Sequence, residues 1–156
     1  NQQSPFDAWV TLQKLESFPL RMARHCENAA IVAEYLADHE AVQWVNYPGL
    51  DTHETSENAE RYLEGGYGGM LTFGIEGGYD AAQRAVESTD LASLLANVGD
   101  AKTLIIHPAS TTHQQLSETE LAEAGVKPDM IRLSVGLEDP ADLIADLEQA
   151  IEAATA

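Results

Sequence analysis

Basic residues are scarce in this chain: three lysines and five arginines stand against 26 acidic residues, a formal net charge of -18 over 156 positions. A phosphate backbone has to be met by clustered Lys and Arg, so nucleic acid is not an expected partner. Cysteine is almost absent too. Cys26 stands alone, which rules out an internal disulfide and fits a reducing cytoplasm. No apolar run approaches the roughly 18 to 20 residues a membrane span needs, and no basic, apolar, small-residue leader stands at the front. The expectation is a soluble protein without a membrane partner, and no repeat, linker or low-complexity tract divides it.

What is present suffices for one core. With 44% hydrophobic residues in 156, the chain is long enough for a single globular domain spanning 1–156 and too short for two. It opens on Asn1 and enters a helical pattern almost at once, so it is expected to be a piece of a longer polypeptide. Its acid excess raises self-repulsion at low salt and matches proteins that work in concentrated salt; an ordinary acidic cytosolic protein would share it.

Apolar spacing predicts a long helix from Pro5 to about Leu36, broken or bent near Phe18-Pro19. Val42–Tyr47 reads as a strand closed by Pro48-Gly49, and Met70–Ile75 as a second strand after a glycine cluster. Tyr79–Ser88 is helical, Leu91–Val98 fits strand or helix, and Thr103–His107 is a short buried strand. Ser117-Glu118-Thr119-Glu120 is a capping box with Gly125 as a stop. Met130–Gly136 alternates like a strand, and Asp139-Pro140 caps a final helix striped by Leu143, Ile144, Leu147 and Ile151. This mixture predicts an α+β domain, a small, mostly antiparallel sheet with helices packed on it.

Few of these residues point to chemistry. Arg132 lies within an apolar strand, where a guanidinium must meet an anion; its rigid fork suits a carboxylate, either on a ligand or on one of the chain's own acids. Asn97-Val98-Gly99-Asp100 has turn chemistry, although an asparagine amide can also donate to a ligand carboxylate. His107–His113 is a polar segment after a buried strand, and no third ligand follows its two histidines, so no metal is expected. Gly65–Gly69 lacks the lysine of a phosphate loop and precedes a strand, so it reads as a flexible lead-in. Cys26, His25, His39 and His53 are assigned no catalytic role.

Seven stretches, in order, carry a resemblance: Ser4–Trp9, Leu20–Ala29, Trp44–Leu50, Gly68–Met70, Asn97–Ala101, His107–His113 and Ile131–Asp139. Together they resemble the Cys/Met-metabolism family of pyridoxal-phosphate enzymes over essentially the whole chain. Within it the wording is most similar to the sulfhydrylases that act on O-acetylhomoserine, which make homocysteine with sulfide or methionine with methanethiol. The resemblance implies the smaller C-terminal domain of the aspartate-aminotransferase-like type (fold type I), with an N-terminal cofactor domain absent from this chain. It implies pyridoxal 5'-phosphate as cofactor, a small amino-acid substrate and a homotetramer.

By resemblance Arg132 matches the arginine that grips the substrate α-carboxylate. Asn97 stands where relatives often carry a serine beside that carboxylate, and Thr111 and Thr112 fall on the loop that lines the substrate side chain. None of Lys14, Lys102 and Lys127 stands in the family's Schiff-base motif, so the segment alone is expected to be inactive. The competing reading is a non-catalytic ligand-binding or assembly module that keeps the fold.

Overall fold

The computed structural model describes residues 2–156. Helix α1, Pro5–Glu16, starts where Ser4 accepts the backbone N–H of Asp7 at 3.1 Å and Pro5 supplies a preset φ. It ends at Ser17, and α2, Phe18–Asp38, begins afresh with Pro19 in its first turn. The expected break is therefore a full interruption. α2 buries His25, Asn28, Ala29, Val32, Ala33 and Leu36, a three- and four-residue spacing that makes one face. No residue of α1 is buried.

The remaining elements are β1 (Val42–Asn46), α3 (Ser56–Tyr62), β2 (Met70–Ile75), α4 (Gly78–Glu87), β3 (Ser93–Leu94), β4 (Leu104–Ile106), a 3-10 turn (Pro108–Ser110), α5 (Glu118–Glu123), β5 (Met130–Ser134) and α6 (Pro140–Thr155). The ambiguous segment after Leu91 is resolved as the two-residue strand β3. Both halves of the Ser117/Glu120 capping box form, and Asp139 caps α6 through the N–H of Ala141.

The strands make one sheet in the order β1-β2-β5-β4-β3, antiparallel except for β3 beside β4. Alternation sends Leu71, Phe73 and Ile75 of β2, Ile131 and Leu133 of β5 and Ile105 of β4 to one face. Register places Phe73 opposite Ile131 and Leu133 between Leu71 and Ile105. The buried stripes of α2, α4 and α6 cover this face and complete the core. The domain is thus two layers, as its alternating pattern predicts.

Two polar anchors hold the layers in place. Asp146 of α6, 6% exposed, accepts the backbone N–H groups of Asp90 (2.7 Å) and Ala92 (2.9 Å), which ties the loop before β3 to the last helix. Tyr47, 1% exposed, donates its hydroxyl to Gly68 O at 3.0 Å. Burial, with smaller contributions from Cys26 and Tyr67, pushes the phenol up to about 12 from its ordinary 10.0. A proton held more tightly in the folded state gives stability that is complete below pH 10 and lost as pH rises towards 12. The loss reaches up to about 3 kcal/mol, and Tyr47→Phe should flatten the stability curve over that window in denaturant titrations.

Candidate functional site

Alternation that fills one face of the sheet places the intervening residues on the other. Asn46, Thr72, Arg132 and Ile106 are successive cross-strand partners across β1, β2, β5 and β4, so they form one row on the face away from the core. Asn46, Thr72 and Arg132, with Pro48 and Met70, line an open cavity of about 260 Å3.

Arg132 is half-buried here, within a strand whose other face is core. Its recorded hydrogen bond is a long one, Nη2 to the backbone carbonyl of Asn97 at 3.4 Å. The chain's other arginines are engaged differently: Arg24 pairs with Glu27 at 3.1 Å, Arg84 donates to Ala154 O at 2.8 Å, Arg21 bonds the α1–α2 junction, and Arg61 lies over Tyr62. Among the described residues no carboxylate lies within ion-pair reach of Arg132. The chain's own acids therefore do not satisfy the guanidinium, which leaves most of its five donors for an external anion.

Asn97 reaches this site by its main chain. Its exposed side chain makes no recorded hydrogen bond, and its carbonyl meets Arg132. The turn predicted at 97–100 is present, with Gly99 at φ 73° and Asp100 accepting the N–H of Lys102 at 3.1 Å. The loop is pinned to the end of β5, where Leu137 N–H donates to Ala101 O at 2.9 Å. Glu138 accepts both the N–H (2.7 Å) and the hydroxyl (2.8 Å) of Thr103. Asn28 of α2 in turn donates to the carbonyls of Gly136 and Glu138.

Thr111 and Thr112 stand after the 3-10 turn that follows β4. Thr111 Oγ1 donates to His107 O at 2.7 Å, and Thr112 Oγ1 lies 2.8 Å from His113 Nδ1. Both hydroxyls are engaged locally, and no recorded hydrogen bond joins either to Arg132 or Asn97. His107, fully buried, sits between Ser110 Oγ and Pro128 O, with Tyr79 edge-on at 4.7 Å. It serves this turn as a structural post.

Sequence reasoning did not single out Asn46 or Thr72 and gave His53 no catalytic role; the fold brings the three together. Asn46 Nδ2 donates to Thr72 Oγ1 at 3.3 Å, and His53 Nε2 lies 2.7 Å from Asn46 Oδ1. Beside this row Trp44 lies across Gly74, whose missing Cβ would fall 2.2 Å from the indole nitrogen. That nitrogen donates to Asp129 at 2.6 Å, and Lys127 Nζ sits 4.0 Å above the indole ring. Lys14 and Lys102 are exposed, so none of the three lysines lines the cavity. Among the described residues no cluster of three His, Cys, Asp or Glu is placed to hold a metal ion, and no helix is long and apolar enough to cross a membrane.

The profile of the family described as Cys/Met metabolism PLP-dependent enzyme matches residues 1–152. O-acetyl-L-homoserine sulfhydrylase 1 of Thermus thermophilus is 53% identical over 94% of this chain and 35% of its own length. The O-acetyl-L-homoserine sulfhydrylase of Leptospira meyeri is 52% identical over 96% of this chain and 34% of its own. Homocysteine synthase of Schizosaccharomyces pombe is 51% identical over 97% and 35%. A Campylobacter jejuni crystal structure, described as an O-acetylhomoserine (thiol)-lyase with a pyridoxyl-lysine phosphate, superposes with a TM-score of 0.90 at 46% identity. It is covered over 36% of its length, against 97% of this chain. The chain thus spans about a third of the length of the relatives it matches.

Proposed function

Because this chain belongs to the Cys/Met-metabolism family of PLP-dependent enzymes, we propose that it is the substrate-side, C-terminal domain of a longer enzyme acting on O-acetylhomoserine. That enzyme breaks the bond from the γ-carbon to the acetyl ester oxygen, releases acetate and forms a γ-carbon–sulfur bond, giving homocysteine from sulfide or methionine from methanethiol. The observation that carries the reading is Arg132, a guanidinium without a carboxylate partner, lining a cavity on the sheet face away from the core. Such a group is suited to hold the α-carboxylate of an amino acid and so to fix its orientation.

The residues of this chain do not by themselves fit pyridoxal 5'-phosphate. A Schiff base needs a lysine at the site, and the three here are exposed at the end of α1, exposed in the loop before β4, or stacked on Trp44. The reading therefore assigns cofactor binding and bond cleavage to the other two thirds of the enzyme, and assigns orientation of the substrate carboxylate to this domain. Asn97 contributes through its carbonyl, and Thr111 and Thr112 border the substrate side chain.

The exposed apolar side of α1, with Phe6, Trp9, Leu12 and Leu15 each more than half exposed, supports a larger assembly, which we take to be a cytoplasmic homotetramer. The test is purification from the native source, followed by intact mass, visible absorption and a sulfide-dependent homocysteine assay. The expected result is a yellow, active protein much heavier than 16.9 kDa. A colourless chain of 16.9 kDa would overturn the catalytic reading and leave a binding or assembly module.

A further inference from the structure

We propose that Thr72 is a second donor to the anion gripped by Arg132, aimed by a relay of Asn46 and His53, so that two neighbouring strands bind one carboxylate. The inference rests on the reading of Arg132 as the carboxylate grip.

His53 Nδ1 accepts the backbone N–H of Thr55 at 3.2 Å, so the ring proton resides on Nε2. Nε2 therefore donates to Asn46 Oδ1. This fixes which end of the Asn46 amide is which, and Nδ2 is turned to donate to Thr72 Oγ1. With an acceptor position of its oxygen filled, the Thr72 hydroxyl keeps its own proton uncommitted. No acceptor for that proton is recorded among the described residues.

Thr72 is the direct cross-strand partner of Arg132, which places their Cβ atoms about 5 Å apart on one face. Both line the same cavity. A carboxylate has two oxygens and roughly four acceptor positions, and one guanidinium edge fills two of them. A hydroxyl beside it can take a third. Thr72 then touches the ligand, whereas Asn46 and His53 are positioning residues that hold the hydroxyl's orientation before the ligand arrives.

The test uses the complete, cofactor-loaded enzyme and compares equilibrium binding of L-alanine with that of L-alaninamide, which lacks the carboxylate. Thr72→Val should weaken L-alanine about tenfold, the effect of losing one hydrogen bond to a charged group, and L-alaninamide less than twofold. Thr72→Ser should restore L-alanine binding. Asn46→Ala should give the same carboxylate-selective loss at about threefold, and KM for the acylated amino acid should rise in parallel while kcat holds.

Equal losses for both ligands in the Thr72 and Asn46 variants, or no loss in either, would overturn the proposal. Arg132→Ala separates it from the reading beneath. If that substitution leaves L-alanine binding unchanged, the carboxylate site itself is elsewhere. If it weakens L-alanine while Thr72→Val does not, the second donor alone is rejected.

Discussion

Replacing Arg132 by alanine in the complete enzyme should raise KM for the amino-acid substrate roughly 30- to 1000-fold, with a smaller change in kcat. The size follows from losing about 2 to 4 kcal/mol of charge-assisted, bidentate binding. Two features make the loss large. The guanidinium has no acid of this chain as partner, so on the proposed reading its removal deletes the charge this domain offers the carboxylate. It is also held in place, since β5 is paired on both sides and the Asn97 carbonyl meets one of its terminal nitrogens. Arg132→Lys should recover only part of the loss, because an ammonium cannot reproduce the planar fork. Steady-state kinetics with varied O-acetylhomoserine check both results, and a KM within twofold of the parent would remove Arg132 from the site.

Gly136→Ala should destabilise the protein by about 2 to 4 kcal/mol, a large effect for one methyl group. A Cβ there would lie 2.3 Å from a Glu138 carboxylate oxygen, 2.5 Å from Thr103 N and 2.6 Å from Ala101 O. Two of those three atoms are backbone, so no rotamer change makes room. The intrusion breaks the Glu138–Thr103 pair and the hydrogen bond from Gly136 N–H to the Thr103 hydroxyl, at 2.8 Å, in the same step. The φ of Gly136 is not positive, so the cost is steric contact rather than backbone strain. Thermal unfolding of the parent and variant measures it. Stability within 1 kcal/mol of the parent would mean that the 97–103 loop is free to move away from β5.

Much of this architecture was legible because its signals are local. The break before Pro19, the Ser117 capping box and the Asp139 cap each involve residues within four positions, and each formed as read. Arg132 stands out as a charge within an apolar strand, but the strand's pattern gives no reason to place it on the face away from the core. Met70, Met130, Leu104 and Ile106 make that face partly apolar as well, and the contrast that would identify it is blurred.

The Asn46–Thr72–Arg132 row was invisible for a different reason. It depends on the register of strands 26 and 60 residues apart in sequence, which no local spacing reports. His53 reads as a loop histidine, and its link through Asn46 to Thr72 follows only once β1 is paired with β2. β3 was ambiguous because two residues are too few to show a period. The long helix expected over 5–36 proved to be two because Ser17 and Pro19 together interrupt it.

The alternation of β2 and β5 has one more consequence, for how such a domain can change over time. Residues 71, 73, 131 and 133 pack into the core, whereas residues 72 and 132, one step along the same strands, project to the other side. Because neighbours in a strand point to opposite sides, a mutation on the working side leaves the packed side unaltered. On the proposed reading, ligand preference can therefore drift without a matching loss of foldedness. The same frame can be retuned for a new acidic ligand at positions 46, 72 and 132 while its core goes unchanged.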